Sequence, residues 1–192
     1  NSIIDINSSG FFTIVLILVL GLVICTGAMN VFNFMDGING ITGGYSLIVL
    51  SAILFILDRE TLLGQSSEVE TIVSLLKIVL SAALVFCFFN FRSRAKCFAG
   101  DVGSVSIAFI ILFTLGYIVI NTGDLSWLSF LVVYGVDGCL TILHRIMLHE
   151  NISQPHRKHL FQIMANELKI PHVIVSLVYM AVQLLCCIWY II

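Results

Sequence analysis

Charge is scarce in this chain, and this limits the classes of protein to which it can belong. Asp, Glu, Lys and Arg make up 10% of the 192 residues, 59% are hydrophobic, and only two are proline. The mean hydropathy is +1.09. Because soluble domains carry about 25% charged residues, the composition excludes an ordinary soluble domain and predicts a membrane protein with no nucleic-acid partner.

Cysteine lacks any pattern that forms disulfides or binds metal. The six cysteines include no CxxC pair, so a disulfide framework or a zinc ribbon has no support. Cys97 lies in a loop, where we expect it to stay reduced. The other five lie in apolar runs, where a thiol behaves as a small hydrophobe: Cys25, Cys87, Cys139, Cys186 and Cys187.

A secretory signal is also missing from the first residues, NSIIDINSSG. They contain no methionine, no basic segment and no small-residue cleavage site before the first apolar run. These features do not predict a signal peptide. We expect instead that this chain is the C-terminal part of a longer protein.

Long apolar runs supply the main structural prediction. Six runs approach the ~20 residues with which a helix crosses ~30 Å of hydrocarbon, at residues 11–29, 41–57, 72–89, 104–120, 125–143 and 171–192. Strands are not predicted, because the runs are continuous and a membrane barrel shows short alternating segments. We expect an all-α, polytopic membrane helical bundle in which residues 1–192 form one transmembrane domain.

Basic residues between the runs predict the orientation of the helices. The segment after the second run is mainly acidic and the NTGD turn has no basic residue, so both are predicted to lie outside. The loops after the third and fifth runs are predicted to be cytoplasmic because they contain Arg92, Arg94, Lys96, Arg145, Arg157, Lys158 and Lys169. Since successive spans alternate, residues 30–40 share the cytoplasmic side.

The stretch NVFNFMDGING follows the first run. Asp36 precedes Gly37 and Gly40, which let the backbone turn tightly and approach a ligand closely. A glycine-capped helix end with a solvated Asp36 is the simpler interpretation. Neighbouring amides weaken that interpretation, because they are suited to bind a sugar, a base edge or a metal-bound water: Asn30, Asn33 and Asn39.

The stretch FAGDVGS precedes the fourth run. Gly100 and Gly103 flank Asp101, and Ser104 is expected to open the next helix and cap its exposed N–H groups. A glycine-rich turn at a helix N-terminus binds anions, and an adjacent Asp can hold Mg²⁺ that bridges to phosphate. An N-capping turn without further function is an equally good interpretation of this motif alone.

The stretch HENISQPHRKHLFQ follows the fifth run. Pro155 predicts a short helix in which His156 and His159 share one face, with Arg157 and Lys158 between them. Such histidines bind a metal, donate to phosphate oxygens or transfer protons, whereas a basic helix on anionic headgroups is the alternative. A zinc site is not supported by the spacing of the four candidates: His144, His149, His156 and His159.

One carboxylate is predicted inside a span. Exposure of Asp137 to lipid would cost ~2.5 kcal/mol or more, which makes it a functional candidate. Arg145 follows eight residues later on the same helix face, close to the reach of an ion pair. A structural pair with Arg145 and a catalytic role are equally supported.

In this order, NxxNFMDGING, FAGDVGS and PHRKHLFQ resemble the motifs of the polyprenyl-phosphate N-acetylhexosamine-1-phosphate transferases (glycosyltransferase family 4). The third motif is similar to the HRxHL form of the O-antigen and teichoic-acid branch. The resemblance covers nearly the whole chain, from about Asn30 to the last loop. It implies synthesis of a peptidoglycan or other cell-envelope polysaccharide precursor.

The resemblance implies that a polyprenyl phosphate attacks a UDP-amino sugar at the cytoplasmic face of a bacterial inner membrane, releasing UMP with Mg²⁺ present. It implies that Asp101 binds Mg²⁺, that Asp36 is a nucleotide or metal-site residue, and that His156 and His159 bind phosphate or act in catalysis. Charge neutralisation is what such a displacement needs most. The implied substrate-binding residues are Asn30, Asn33, Asn39, Gly100, Gly103, Ser104, Arg157 and Lys158.

Two other interpretations stay open. A transporter would line a path with Asp36, Asp137 and the glycine breaks, but it predicts polar residues throughout the membrane midplane, and here they gather at helix ends. A non-catalytic membrane partner is considered because the chain has no Asp-Asp pair, which the family carries in an earlier cytoplasmic stretch. With six spans against ten or so in the family, the resemblance also implies the C-terminal part of a longer enzyme.

Overall fold

A computed structural model of the chain describes residues 10–59, 67–151, 154 and 157–191. These residues are mainly helical, and no strand occurs among them. A 3₁₀ helix at Leu125–Leu131 leads directly into α5, and a π-helical turn at Ile163–Glu167 follows the short α6. The α-helices are α1 Phe11–Met35, α2 Ile41–Arg59, α3 Ser67–Asn90, α4 Gly100–Thr122, α5 Val132–Met147, α6 Leu160–Gln162 and α7 His172–Ile191.

Six helical segments of the described chain are long and apolar enough to cross a membrane, which confirms the predicted all-α polytopic bundle. The fifth comprises the 3₁₀ helix and α5 together. Two helix ends differ from the prediction in ways that affect the candidate site. Helix α1 continues to Met35 and α4 already begins at Gly100, because polar residues near a helix end keep their backbone hydrogen bonds even where hydropathy falls.

Helix α2 forms the centre of the bundle. It packs against α3 and α7, while α1 packs against α4. The side chains of Tyr45, Val49 and Ile53 on α2 are completely buried. Large apolar side chains of α1, including Phe12 and Leu18, are exposed on the outside, as expected where lipid replaces water.

A buried amide connects three elements in the interior. The Gln183 side chain on α7 accepts a hydrogen bond from the Tyr45 hydroxyl at 3.0 Å and donates to the Ser129 carbonyl at 3.3 Å. Since an unpaired amide in an apolar interior costs free energy, these bonds make a fully buried Gln183 tolerable. They fix α2, the 3₁₀ helix and α7 relative to one another.

The connection between α1 and α2 is bonded to the connection between α3 and α4. The backbone N–H of Gly40 donates to Asn90 Oδ1 at 2.7 Å, and Asn90 Nδ2 donates to the Cys97 carbonyl at 2.8 Å. Asn39 Nδ2 donates to the Arg92 carbonyl at 2.9 Å. The two connections that contain the first two sequence motifs are therefore fixed as a unit.

We expect Gly40→Ala to lower the free energy of unfolding by about 2 kcal/mol or more. Gly40 has φ of +88°, and a methyl group there would lie 2.3 Å from the Phe91 ring. The left-handed backbone costs an alanine about 1–2 kcal/mol, and overpacking costs typically 1–3 kcal/mol. Thermal unfolding in detergent measures the loss.

Gly116→Ala is the matched control for that substitution. Gly116 lies within α4, and a methyl group there would meet no atom within 4 Å. Alanine in a helix interior is favoured over glycine by roughly 0.5–1 kcal/mol, so the control should be as stable as the unchanged protein or slightly more stable. Equal stability of both variants would contradict the role assigned to Gly40.

Candidate active site

Three segments that are far apart in sequence meet at one end of the bundle. The end of α1 contacts the start of α4, where Asn33 Nδ2 donates to Asp101 Oδ1 at 3.3 Å. Gly37, the residue after Asp36, packs closely against the third segment. A methyl group added to Gly37 would lie only 2.9 Å from the Phe161 ring. Parts of all three motifs therefore lie together, although they come from helices α1, α4 and α6.

Asp36 is the residue that ends α1. Its backbone N–H donates to the Asn33 carbonyl at 3.1 Å, and its side chain is half-buried. Burial raises the pKa of the Asp36 carboxyl, and the charge of the nearby Asp101 carboxylate adds to the increase. Two carboxylates close enough to repel each other attract a cation to the space between them.

The three predicted amides have different surroundings. Asn33 contacts Asp101, whereas Asn30 is exposed on α1. The Asn39 side chain is used to hold the connection between α3 and α4, and its carbonyl accepts a hydrogen bond from the Ser176 hydroxyl of α7 at 2.8 Å. Of these residues, the structure places Asn33 beside the two carboxylates.

The second motif forms the first turn of α4, not a turn that precedes the helix. Gly100 is the first helical residue and has φ of +61°, and Gly103 lies in the same turn. The predicted capping role of Ser104 is wrong, because its hydroxyl is buried and donates to the Gly100 carbonyl at 2.9 Å. Ser104 is the fifth residue of the helix, so its own N–H already has a helical partner.

The third motif also differs from its prediction. Arg157 and Lys158 are not helical, and α6 begins only at Leu160. His159 is the extended N-cap residue, whose backbone N–H donates to Gln162 Oε1 at 3.3 Å. His156 lies outside the described residues, so its predicted place on one helix face with His159 is not tested.

Asp137 binds the third motif and not Arg145. Its Oδ1 accepts a hydrogen bond from the Leu160 N–H at 3.0 Å and lies 3.4 Å from His159 Nδ1. Its Oδ2 accepts one from the Tyr179 hydroxyl at 2.6 Å. Thr141 Oγ1 lies 3.3 Å from both Asp137 Oδ1 and His159 Nδ1. The alternative that Asp137 pairs with Arg145 is therefore wrong.

Arg145 is directed towards the loop that follows α5. Eight residues of helix separate it from Asp137 by about 12 Å along the axis, and its Nε lies 3.3 Å from a Glu150 carboxylate oxygen. Glu150 also pairs with Lys158. Hydrogen bonding to Lys158, with a smaller contribution from Arg145, lowers the pKa of the Glu150 carboxyl. Arg157, in contrast, is an exposed cation.

A cavity of about 600 Å³ adjoins the third motif. It lies between α5, the α6 region and α7, and most of the side chains around it are apolar. Its lining residues with polar or charged groups include Asp137, Thr141, His144, Lys158 and Tyr179. The cavity therefore combines an apolar wall with a cation from the third motif.

Several residues that hold the site together were not predicted from the sequence. Asn90 stands at the end of an apolar run, where a polar residue is a detectable signal, and it joins two connections. Tyr179 and Thr141 each lie within an apolar helix, and their positions in the sequence do not indicate that they belong to a site. Their function as Asp137 partners depends on how α5 and α7 pack.

The oxygen-rich end of the site fits a hard divalent cation. Mg²⁺ prefers carboxylate and carbonyl oxygens and usually keeps several waters, and Asp36, Asp101 and the Asn33 side-chain oxygen offer such donors beside one another. Within the described ranges, no group of three or more His, Cys, Asp or Glu residues is placed to bind a metal. The zinc candidate of the sequence analysis includes His156, which lies outside the described residues, so that candidate is not tested.

A helical bundle with six membrane-spanning candidates among the described residues and two neighbouring carboxylates at one end defines a multi-pass membrane protein with a candidate polar site. Residues 2–123 match the profile of "Glycosyl transferase family 4". The match includes the first two motifs, and the chain belongs to this family.

Relatives of known name are similar to parts of this chain. A "Probable undecaprenyl-phosphate N-acetylglucosaminyl 1-phosphate transferase" of Bacillus subtilis is 30% identical over 138 residues, which are 70% of this chain and 36% of the relative. A "Phospho-N-acetylmuramoyl-pentapeptide-transferase" of Borrelia hermsii is 32% identical over 50% of this chain and 30% of its own length.

An Escherichia coli K12 "Undecaprenyl-phosphate alpha-N-acetylglucosaminyl 1-phosphate transferase" is 34% identical over 88 residues. These are 46% of this chain and 23% of the relative. The chain thus spans little more than a third of the length of these relatives, or less. Their similarity supports membership of the family.

Proposed function

We propose that this protein transfers an N-acetylhexosamine-1-phosphate from a UDP-sugar to a polyprenyl phosphate and releases UMP. The observation that carries the proposal is the contact of Asn33 with Asp101 beside Asp36, close to the basic third motif. Membership of glycosyl transferase family 4 and the printed names of the relatives support the same reaction class.

In the proposed reaction, an oxygen of the lipid phosphate forms a bond to the sugar-linked phosphorus of the UDP-sugar. The bond from that phosphorus to the bridging oxygen breaks, and UMP leaves with this oxygen and its electron pair. Positioning and charge stabilisation carry most of the catalysis in phosphoryl transfer. Arg157, which is exposed, is proposed to contact phosphate oxygens, and Lys158 is oriented by Glu150.

Mg²⁺ is the proposed cofactor, held by Asp101 and Asp36 with Asn33 beside them. When bound, it would neutralise charge on the pyrophosphate during the displacement. Asn33 already orients the Asp101 carboxylate by a hydrogen bond. The start of α4 offers backbone N–H groups to the same anionic region.

The membrane location of the acceptor fits the geometry of the site. A polyprenyl phosphate has an apolar chain that stays in lipid and a charged head at the interface. The apolar cavity beside Lys158 has room for part of such a chain. We propose that the site faces the cytoplasm of a bacterial inner membrane, since the basic loops of the chain lie at this end.

The identity of the released nucleotide tests the proposal. Membranes that contain the product of the complete gene encoding this chain are supplied with undecaprenyl phosphate, Mg²⁺ and a panel of UDP-N-acetylhexosamines. Transfer of the sugar with its phosphate releases UMP and gives a lipid pyrophosphoryl sugar, detectable by mass. Release of UDP with a lipid monophosphoryl sugar would contradict the proposed reaction, because only the sugar would have moved.

A further inference from the structure

Asp137 has an unusual set of neighbours for a carboxylate within a membrane-spanning segment. It is 7% exposed, and its two oxygens accept hydrogen bonds from the Leu160 backbone, the Thr141 hydroxyl and the Tyr179 hydroxyl. His159 Nδ1 is close to the same carboxylate. These groups come from α5, from the third motif and from α7, so one side chain joins three elements.

The contact with Leu160 fixes the backbone of the third motif. Leu160 is the first residue of α6, and its N–H has no partner within so short a helix. Asp137 accepts this hydrogen bond from another helix. A charged acceptor at a helix N-terminus is stabilising, so the start of α6 is held where Asp137 places it.

His159 is held from two sides. Its ring stacks on Phe161 with a centroid distance of 5.8 Å, and its Nδ1 faces Asp137 and Thr141. Phe161 in turn packs against Gly37, next to Asp36. A chain of direct contacts therefore leads from Asp137 through the third motif to the first motif.

We propose that Asp137 is a positioning residue, which fixes residues 157–162 against α5 and so keeps Arg157 and His159 in a fixed position relative to Asp36 and Asp101. The proposal rests on the proposed function, because that function is what requires these residues to act together. Asp137 itself does not touch substrate in this proposal. It acts through the Leu160 N–H and the His159 ring.

Asparagine cannot replace this carboxylate without loss. The Leu160 N–H can only donate, whereas the Tyr179 hydroxyl can donate or accept. In Asp137→Asn the negative charge is lost, so the bond from the Leu160 N–H is no longer charge-assisted, and one of the two oxygens becomes an NH₂ group that cannot accept. The third motif should consequently shift or loosen at its first helical residue.

Two tyrosines provide a matched pair of variants. Tyr179→Phe removes a hydroxyl that is bonded to Asp137. Tyr134→Phe removes another buried hydroxyl, one that is not bonded to Asp137. The two rings lie 6.5 Å apart, so the pair separates the loss of a hydroxyl in this region from the loss of the contact with Asp137.

The experiment combines amide hydrogen exchange of residues 157–162 with steady-state UMP release, using the complete gene product in nanodiscs. Asp137→Asn should accelerate exchange in this segment roughly tenfold or more. It should lower kcat for UMP release about 10- to 100-fold with less than about a threefold change in KM for the UDP-sugar. Tyr179→Phe should also accelerate exchange and lower kcat, but by smaller factors. Tyr134→Phe should change neither the exchange rate nor kcat.

Exchange in Asp137→Asn equal to that in Tyr134→Phe would overturn the proposal. Faster exchange with an unchanged kcat would also overturn it, because the contact would then be structural only. Should Asp137→Asn not accumulate as folded protein, Tyr179→Phe decides, since it keeps the carboxylate. Absence of UMP release from the unchanged protein counts against the proposed function, whereas the exchange rates still decide whether Asp137 fixes the segment.

Discussion

Turnover should fall by about 100-fold or more when Asp101 is replaced by asparagine, with the amount of folded protein nearly unchanged. Loss of a charged Mg²⁺ ligand removes part of a charge stabilisation worth several kcal/mol, and each 1.36 kcal/mol is about tenfold in rate. Asn33 donates to Asp101 Oδ1, and the oxygen of an asparagine side chain can accept the same bond. The initial rate of UMP release measures the effect.

Asp58→Asn serves as the control for Asp101→Asn. Asp58 lies in the last turn of α2, is exposed, and pairs with Lys77 at 3.5 Å. It is not part of the candidate site, and an exposed ion pair contributes little to stability, so turnover should be unchanged. Near-normal turnover of Asp101→Asn would show that Asp101 does not bind an essential metal.

Asp36→Asn should separate stability from activity. Because burial raises the pKa of the Asp36 carboxyl, its ionised form is disfavoured in the folded protein, and a neutral side chain avoids this cost. A group with a raised pKa in the folded state stabilises the fold at low pH and loses that contribution as the pH rises through its pKa. At neutral pH without Mg²⁺, the variant should therefore melt at the same temperature or higher.

The same variant should lose function. Without the Asp36 charge, the rise in melting temperature caused by Mg²⁺ should become smaller, because ligand binding stabilises in proportion to its affinity. Turnover should fall by about 100-fold. A variant that melts lower without Mg²⁺, yet keeps its turnover and its response to Mg²⁺, would show that Asp36 is a structural residue.

The membrane architecture could be predicted because hydropathy alone determines it. Each apolar run near 20 residues corresponds to a spanning segment of the structure. The helix ends were less predictable, since Asn30 and Asn33 are polar yet still helical at the end of α1. Polar residues in a final turn satisfy the backbone as well as apolar residues do, so composition alone does not show where the helix stops.

The meeting of the three motifs at one end was partly predictable from the alternation of spans. The partners within that end were not. Asn39 and Asn33 are equivalent as residue types, but one holds a neighbouring connection and the other contacts Asp101. Of the two interpretations of Asp137 that the sequence left open, the pair with Arg145 is wrong, because helical spacing favours Arg145 whereas the structure brings Leu160 and His159 closer to the carboxylate.

UMP release tests the central claim most directly. Membranes containing the complete gene product, either unchanged or with Asp101→Asn, receive undecaprenyl phosphate and UDP-N-acetylhexosamines, with Mg²⁺ or with a chelator. We expect UMP from the unchanged complete product with Mg²⁺, and at least about 100-fold less with the chelator or with Asp101→Asn. No UMP from folded complete product with any donor would contradict the claim and favour a transporter or a non-catalytic membrane protein.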